Sequence, residues 1–329
     1  MRDGKLDFYK AFLIWSVVLG HCMNALWQTG NFMHLALRTF DLPMFMYISG
    51  FLLKGSIKRY ECFQLILNKI TNIIAPAIIW IFISYLFGDK HMYYFLWSVF
   101  FSSVIVCLIA RISSELHRCY SFKIVSLFEL TLIVLIALCM HFIPVNIVNI
   151  SYLFPFFAIG YFSKNVSQVD WKWGCVSLAL FIYLIVFVWT PHYTIWNTGG
   201  YILRDTTFML KVVFLRLFIG MLGIYAVCFL LGALYNMFKN DKAMKFIQNV
   251  GKETLSIYLM QHVVVEIFLV RFVRNMNIYD NLQNHQIVIG YLVTPLISII
   301  LLLLMYGLVT MLKESKYTKW LFGFKVTLK

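Results

Sequence analysis

The chain has 329 residues, of which 61% are hydrophobic and only 13% are charged, and its mean hydropathy is +0.81. Because a soluble domain is roughly 45–50% apolar and about 25% charged, this composition excludes a soluble enzyme, a disordered chain and a disulfide-rich secreted domain. Lys and Arg (28) outnumber Asp and Glu (14), but such an excess is typical of the inner loops of membrane proteins. We therefore expect no nucleic-acid partner. We predict an all-α, polytopic membrane bundle that forms a single domain over residues 1–329 and contacts the lipid bilayer.

Ten apolar runs are long enough to be membrane spans, since a bilayer core about 30 Å thick needs roughly 20 apolar residues per helix. The boundary between the fifth and sixth runs falls at Ile143-Pro144, and a count of nine or eleven spans would also fit. In the second run, Asp41 is expected to cap the helix and Pro43 to lie in its first turn. The runs cover approximately residues 11–28, 41–56, 71–88, 92–110, 124–143, 145–162, 174–190, 207–236, 254–272 and 286–312.

The basic residues of the loops predict the orientation of these spans. With the N-terminus inside, 21 of the 28 Lys and Arg residues fall in cytoplasmic segments and five fall in outer segments. Short cytoplasmic loops of membrane proteins carry such an excess of basic residues. We therefore expect both termini in the cytoplasm and an even number of spans.

The first span carries a stripe of polar side chains. His21 follows Lys10 by eleven residues, which is about 16 Å along a helix and close to three full turns, so the two residues share a face. Asp7 falls near the same stripe. A polar stripe on an apolar helix indicates a wall of a water-accessible cavity. The alternative is a buried histidine whose hydrogen bonds are satisfied by a neighbouring helix.

The ninth span carries a second stripe, in which Thr254, Tyr258, His262 and Glu266 recur every four residues and so share one face. Its two ionisable residues, His262 and Glu266, reach a depth similar to that of His21. A His–Glu pair that only holds helices together fits the pattern equally well. No third ligand for zinc is evident from the sequence, so no metal is expected.

Two further spans contain residues that are unusual in a membrane. Arg216 lies well inside the eighth span, where a guanidinium needs a carboxylate, carbonyl groups or an anion. Glu266 is the partner that we expect for it. In the second span, Ser49 and Gly50 are adjacent small residues, which indicate either close packing of two helices or a direct role in a site.

Four blocks of the chain form a pattern that extends over nearly its whole length. They are Lys5–Lys10 with His21 eleven residues further on, Phe40–Phe51, Phe156–Tyr161 and Gly251–His262. In content and order these blocks resemble the acyltransferase-3 family of membrane acyltransferases. The chain departs from the family at an Arg-x-x-Arg element that precedes the third span in many members, where Lys69 provides one basic residue and Asn72 stands in place of the other.

The resemblance implies transfer of an acyl group, most often acetyl, from cytoplasmic acyl-CoA to a hydroxyl of a cell-envelope glycan or its lipid-linked precursor. The setting would be the bacterial inner membrane, with acyl-CoA as co-substrate and no bound cofactor. A proton-coupled transporter or a glycan flippase is the alternative, because intramembrane ionisable residues also mark transport pathways.

For such a reaction we assign roles to the polar residues as a hypothesis. His21 would be the general base, since an imidazole titrates near neutral pH, and Lys10 would orient the donor. A covalent acyl-enzyme formed on His21 or Ser49 stays open. The expected substrate-binding residues are Asp7, Ser49, Arg216, Tyr258, His262 and Glu266. The basic residues expected to hold the CoA phosphates in charge-assisted pairs are Lys54, Lys58, Arg59 and Lys69.

Overall fold

The computed structural model describes residues 3–28, 31–140, 150–164, 169–190, 206–276 and 285–323. Within these ranges the chain contains helices and no strands, which confirms the predicted all-α fold. A short 3₁₀ turn, Lys319–Phe322, follows the last helix. The helices are α1 (Gly4–Ala25), α2 (Phe32–Ile57), α3 (Cys62–Leu86), α4 (Tyr94–Leu116), α5 (Phe122–Cys139), α6 (Ile150–Phe162), α7 (Trp171–Phe187), α8 (Thr206–Phe238), α9 (Lys242–Lys252), α10 (Thr254–Asn275) and α11 (Gln286–Glu314).

Each of the ten predicted spans overlaps a helix, and seven helices of the described chain are long and apolar enough to cross a membrane. These seven are α1, α3, α4, α5, α8, α10 and α11, while α6 and α7 are apolar but shorter. The protein is therefore an integral membrane protein, and the count of ten spans stays a prediction. The expected boundary at Ile143-Pro144 lies outside the described residues.

Helix α1 is at the centre of the bundle. Of its apolar stretch, 78% is buried within the protein, against 11% for α5, whose side chains face outwards. α1 packs against α2, α9, α10 and α11. It begins seven residues before the predicted run, because the Asp3 carboxylate caps it by accepting a hydrogen bond from the backbone N–H of Lys5 at 2.9 Å. The polar stripe of α1 therefore faces other helices.

The predicted start of α2 is wrong. Asn31 caps this helix by accepting a hydrogen bond from the backbone N–H of Met33 at 2.8 Å, so Pro43 lies inside the helix. Asp41 caps nothing; it is fully buried and accepts a hydrogen bond from the N–H of Leu42 at 2.6 Å. The sequence pattern misplaced the start because His34, Arg38 and Thr39 interrupt the apolar residues in the first turns of α2, where His34 and Thr39 are buried within the protein. A proline inside a membrane helix is tolerated where neighbouring groups satisfy the freed backbone.

Glycines bring two pairs of helices into backbone contact. A Cβ on Gly50 of α2 would lie 2.0 Å from the carbonyl oxygen of Phe157, and a Cβ on Gly160 of α6 would lie 1.9 Å from that of Tyr47. In the same way, a Cβ on Gly251 of α9 would lie 1.8 Å from the carbonyl oxygen of Asp7. Small residues permit such close approach in membrane proteins. α2 is thereby fixed against α6, and α1 against α9.

Candidate functional site

A cavity of about 240 Å³ lies near the end of the bundle where α1 begins. Among the described residues, three lysines line it, Lys10, Lys69 and Lys252, together with the polar side chains of Ser49 and Tyr258. The rest of the lining is mostly apolar. We call this space the lysine cavity. Its combination of ammonium groups and hydrocarbon suits a molecule with an anionic part and a long, less polar arm.

The structure separates the basic residues predicted to hold the donor. Lys69 lines the lysine cavity, whereas Lys54, Lys58 and Arg59 are not part of its lining. Both Lys58 and Arg59 are exposed, just beyond the last turn of α2. Sequence reasoning missed Lys252, which lies within the fourth family-like block but was counted only as a loop charge.

Asp7 and Lys10 form an ion pair one turn apart on α1, with 3.5 Å between the Asp7 Oδ1 and Lys10 Nζ atoms. The Asp7 side chain is 2% exposed and that of Lys10 is 21% exposed. The carboxylate therefore lies behind the cavity wall and the ammonium group reaches into the wall. Asp7 is placed to position Lys10.

His21 lies about 16 Å along α1 from Lys10. At this level Glu266 of α10 lies beside three histidines. Its Oε1 atom contacts Nδ1 of His21, and its Oε2 atom lies 2.6 Å from Nδ1 of His262. The same Oε2 atom lies 4.0 Å from Nδ1 of His91. We call these four residues the histidine cluster. It brings together the polar stripes of α1 and α10, with His21 on one helix and His262 and Glu266 on the other.

The part of α10 that carries His262 and Glu266 is a π-helix, His262–Leu269. In a π-helix the backbone hydrogen bonds run from residue i to residue i+5, and such segments occur frequently at functional sites. The first turns of α10, Thr254–Gln261, are ordinary α-helix. The wider turn therefore begins at His262, where the helix enters the cluster.

The loop that joins α3 to α4, residues 87–93, supplies two cluster contacts that sequence reasoning missed. Oδ2 of Asp89 lies 2.7 Å from Nε2 of His262. The His91 ring stacks on the His262 ring, with centroids 3.7 Å apart and 21° between the planes. Both residues fell between predicted spans and were counted as loop. Their sequence signal is an Asp and a His within a very short loop between two apolar runs.

Tyr93 anchors this loop inside the bundle. It is fully buried, and its hydroxyl donates a hydrogen bond to the carbonyl oxygen of Leu259 at 2.7 Å. Its φ of 42° lies in the left-handed region, which a bulky residue rarely adopts and which is found at functional sites. Burial, reinforced by the neighbouring His262, lowers the pKa of His91 to about 4. The His91 imidazole is therefore neutral at neutral pH.

Arg216 does not pair with Glu266, so that prediction is wrong. Its guanidinium carbon lies 3.8 Å from the centroid of the Tyr152 ring, in a buried cation–π contact. The physical reason is the position of α8, which packs mainly against α7 and α2. Glu266 instead faces the three histidines.

Arg38 of α2 is a cation beside the histidine cluster that sequence reasoning counted only as an outer-loop charge. Its guanidinium carbon lies 3.7 Å from the position that a Cβ on Gly20 would occupy, and Gly20 directly precedes His21. Its Nε atom donates a hydrogen bond to Nε2 of His34 at 3.3 Å.

Aromatic side chains connect the lysine cavity to the histidine cluster. Tyr258 lines the cavity and lies one helical turn before His262. The Tyr93 ring centroid is 6.1 Å from that of Tyr258 and 6.0 Å from that of His262. The two regions are therefore neighbouring parts of one interior.

Comparison with known proteins gives two related sequences. The chain is 24% identical over 316 residues to nodulation protein NolL of Mesorhizobium japonicum, covering 82% of this chain and 79% of the relative. It is 27% identical over 196 residues to nodulation protein NolL of Sinorhizobium fredii, covering 51% of this chain and 50% of the relative. No solved structure matches the chain significantly. The family model of the acyltransferase domain matches residues 3–305, which is nearly the whole chain, and the protein therefore belongs to the acyltransferase-3 family of membrane acyltransferases.

Proposed function

We propose that this acyltransferase moves an acetyl group from cytoplasmic acetyl-CoA to a hydroxyl of a cell-envelope glycan or its lipid-linked precursor. The enzyme would act in a bacterial inner membrane with ten spans and both termini in the cytoplasm. Three features support the proposal: the family, the lysine cavity at the end where α1 begins, and the excess of basic residues in the segments at that end.

The lysine cavity is the proposed donor site. Acetyl-CoA is polyanionic, and the ammonium groups of Lys10, Lys69 and Lys252 can form charge-assisted hydrogen bonds with its phosphates. The apolar lining suits the longer arm that ends in the thioester. That arm would run past Tyr258 and Tyr93 toward the histidine cluster. The phosphates near Lys10 and the reacting groups near His21 would then lie about 16 Å apart.

The contact between His21 and Glu266 is the observation that carries the proposed mechanism. A carboxylate that accepts a hydrogen bond from Nδ1–H holds an imidazole in one tautomer and leaves Nε2 as a base. Nε2 of His21 would remove the proton of the acceptor hydroxyl while the hydroxyl oxygen attacks the thioester carbonyl. The tetrahedral intermediate then expels the CoA thiolate, which takes the proton from His21. The products are the acetyl ester and free CoA.

Two other residues fit this sequence of steps. The Arg38 guanidinium, beside Gly20, is placed to stabilise the negative charge on the oxygen of the tetrahedral intermediate. Ser49 lines the lysine cavity rather than the histidine cluster, which supports direct transfer over a covalent intermediate on Ser49. Arg216 lies against Tyr152, and we propose for it a role in binding the acceptor.

The test supplies radiolabelled acetyl-CoA to membranes that contain the protein and follows the label into the cell-envelope glycan fraction. His21→Ala should abolish labelling. His117→Ala is the matched control, because His117 is exposed between α4 and α5 and far along the chain from both stripes. Equal amounts of folded protein are verified by detergent size-exclusion chromatography.

Labelling that needs His21 and survives His117→Ala supports the proposal. Full labelling with His21→Ala would remove His21 from the mechanism. Binding of acetyl-CoA to the purified protein is measured in parallel, and failure to bind would overturn acetyl-CoA as the donor.

A further inference from the structure

Both ring nitrogens of His262 contact carboxylates, Nε2 that of Asp89 and Nδ1 that of Glu266. Nε2 is 2.7 Å from Oδ2 of Asp89, a distance at which Nε2–H donates a hydrogen bond. Nδ1 then presents a lone pair, and Oε2 of Glu266 lies 2.6 Å away. Two acceptors at that distance repel each other unless a cation is shared between them.

The Nδ1 atom of His262 is buried, and its contact with Glu266 is not a hydrogen bond of normal geometry. The whole His262 side chain is 2% exposed, so water has little access to it. The lone pair of a buried imidazole is thus directed into the cluster.

Two more ligand atoms converge on the same place. The ligand nitrogen of His91 and the carboxylate of Glu266 lie with that of His262 within 4.8 Å of one another. Two imidazoles and one carboxylate are a known donor set for a zinc site that keeps an open coordination position. Around a tetrahedral ion with bonds of about 2.0–2.2 Å the ligand atoms are roughly 3.3–3.6 Å apart. Binding would therefore lengthen the contact between His262 Nδ1 and Glu266 Oε2 and bring the His91 nitrogen closer to Glu266.

Asp89 lies outside this group of ligand atoms and contacts one of its members, His262. A histidine that binds a metal usually donates its other ring N–H to a carboxylate, which fixes the tautomer and makes the ligand more basic. Asp89 stands in this relation to His262.

We propose that His91, His262 and Glu266 bind one divalent ion of the zinc type, with Asp89 orienting His262. Glu266 can serve both this ion and the proposed base, since Oε2 faces His91 and His262 and Oε1 contacts His21. The lone pairs of the two stacked rings lie in nearly parallel planes, because the rings are 3.7 Å apart with 21° between them. Binding therefore requires the His91 ring to turn about its Cβ–Cγ bond, which its place in a loop permits. The ion would tie the 87–93 loop to α10.

The experiment uses the full-length protein purified in detergent with a tag that contains no histidine. Co²⁺ is the probe, because its visible absorption reports nitrogen and oxygen ligands in a tetrahedral or five-coordinate site. We expect one Co²⁺ per chain, displacement of Co²⁺ by Zn²⁺, and a higher melting temperature in the presence of either ion.

Variants locate the ion independently of enzyme activity. His91→Ala, which changes a loop residue, should lower Co²⁺ affinity at least tenfold, and Asp89→Asn should lower it about 10–100-fold, as expected for an outer partner. His117→Ala should bind as the unchanged protein does. Absence of stoichiometric Co²⁺ binding, or binding that is insensitive to His91→Ala, would overturn the proposal. Either result leaves the acetyl-transfer proposal untouched, since labelling is measured separately.

Discussion

At the scale of single residues, the pairing of Glu266 with His21 predicts that a substitution of Glu266 lowers the catalytic rate without weakening donor binding. Glu266→Gln keeps the size of the side chain but removes the charge that orients the His21 imidazole. We expect kcat to fall about 10²–10⁴-fold, while the dissociation constant of acetyl-CoA, whose phosphates would lie in the lysine cavity, stays unchanged. Initial rates of label transfer and equilibrium dialysis measure the two quantities.

The control for this prediction is Glu129→Gln, a matched change on another helix. Glu129 accepts a hydrogen bond from the Tyr161 hydroxyl at 2.8 Å and has no role in the proposed steps. Its kcat should stay within about twofold of the unchanged enzyme, which is the scale of a surface or remote substitution. A Glu266→Gln enzyme as fast as the Glu129→Gln enzyme would contradict the proposed role of Glu266.

For the lysine cavity we expect the opposite kinetic effect from that of Glu266→Gln, a change in KM without a change in kcat. Lys252→Gln removes one of three ammonium groups near the proposed phosphates, so it should raise KM for acetyl-CoA about fivefold, corresponding to about 1 kcal/mol for a partly solvated ion pair. kcat should not change. The exposed Lys58, changed to Gln, should have no effect on KM. A KM effect of equal size in both variants would indicate a general field of positive charge rather than a binding site in the cavity.

The sequence predicted the members of the site that lie on helical stripes and missed those that do not. His21, His262 and Glu266 followed from the helical period and from depth. His91 and Asp89 could not follow in that way, because a loop has no period from which to infer its contacts. Arg38 was assigned to an outer loop, since hydropathy placed the start of α2 nine residues too late.

At the scale of helices, the four family-like blocks pair in space at backbone contacts. The second block contains Gly50 and the third contains Gly160, and these two glycines hold α2 against α6. The fourth block begins at Gly251, which contacts the backbone of Asp7 in the first block. Hydropathy predicted that these helices exist, but it could not predict which ones pair. That information lies in small residues whose partners are distant in the sequence.

Gly50 and Gly55 give a matched test of these contacts within one helix. A Cβ on Gly50 would lie 2.0 Å from a backbone oxygen, whereas a Cβ on Gly55 would meet nothing within 4 Å. Gly50→Ala should therefore destabilise the protein by about 1–3 kcal/mol or more through overpacking. Gly55→Ala should be neutral or slightly stabilising, because alanine favours helix over glycine.

Thermal unfolding followed by fluorescence-detected size-exclusion chromatography compares these two variants. We expect a lower melting temperature for Gly50→Ala only. Equal melting temperatures would mean that α2 and α6 are not in backbone contact at this point.

At the scale of the whole molecule, composition and buried charge alone fitted two kinds of membrane protein. An acyltransferase and a proton-coupled carrier both place ionisable side chains within the bilayer, so neither the hydropathy nor His21, His262 and Glu266 could separate them. The order of the four blocks favoured the acyltransferase, and the match of the family model over residues 3–305 confirms it.

The orientation of the bundle decides whether the lysine cavity faces the compartment that contains acetyl-CoA. With the N-terminus inside, the segment between α4 and α5, which contains the exposed Cys119, lies in the cytoplasm, and the 87–93 loop lies on the other side. A membrane-impermeant maleimide should therefore label Cys119 in inverted vesicles but not in spheroplasts. Lys90→Cys should show the reverse. Both tests are made after the exposed Cys139 and Cys175 are replaced by alanine, and Cys119 is also replaced in the Lys90→Cys protein.

Labelling of both positions from the same side would show that α4 does not cross the membrane. A reversal of the two results would place the lysine cavity on the outer side, where acetyl-CoA is absent, and the three lysines could then not serve as its binding site. The expected pattern instead places Lys10, Lys69 and Lys252 at the cytoplasmic end. The histidine cluster then lies about 16 Å deeper, within reach of an acceptor that arrives from the opposite face.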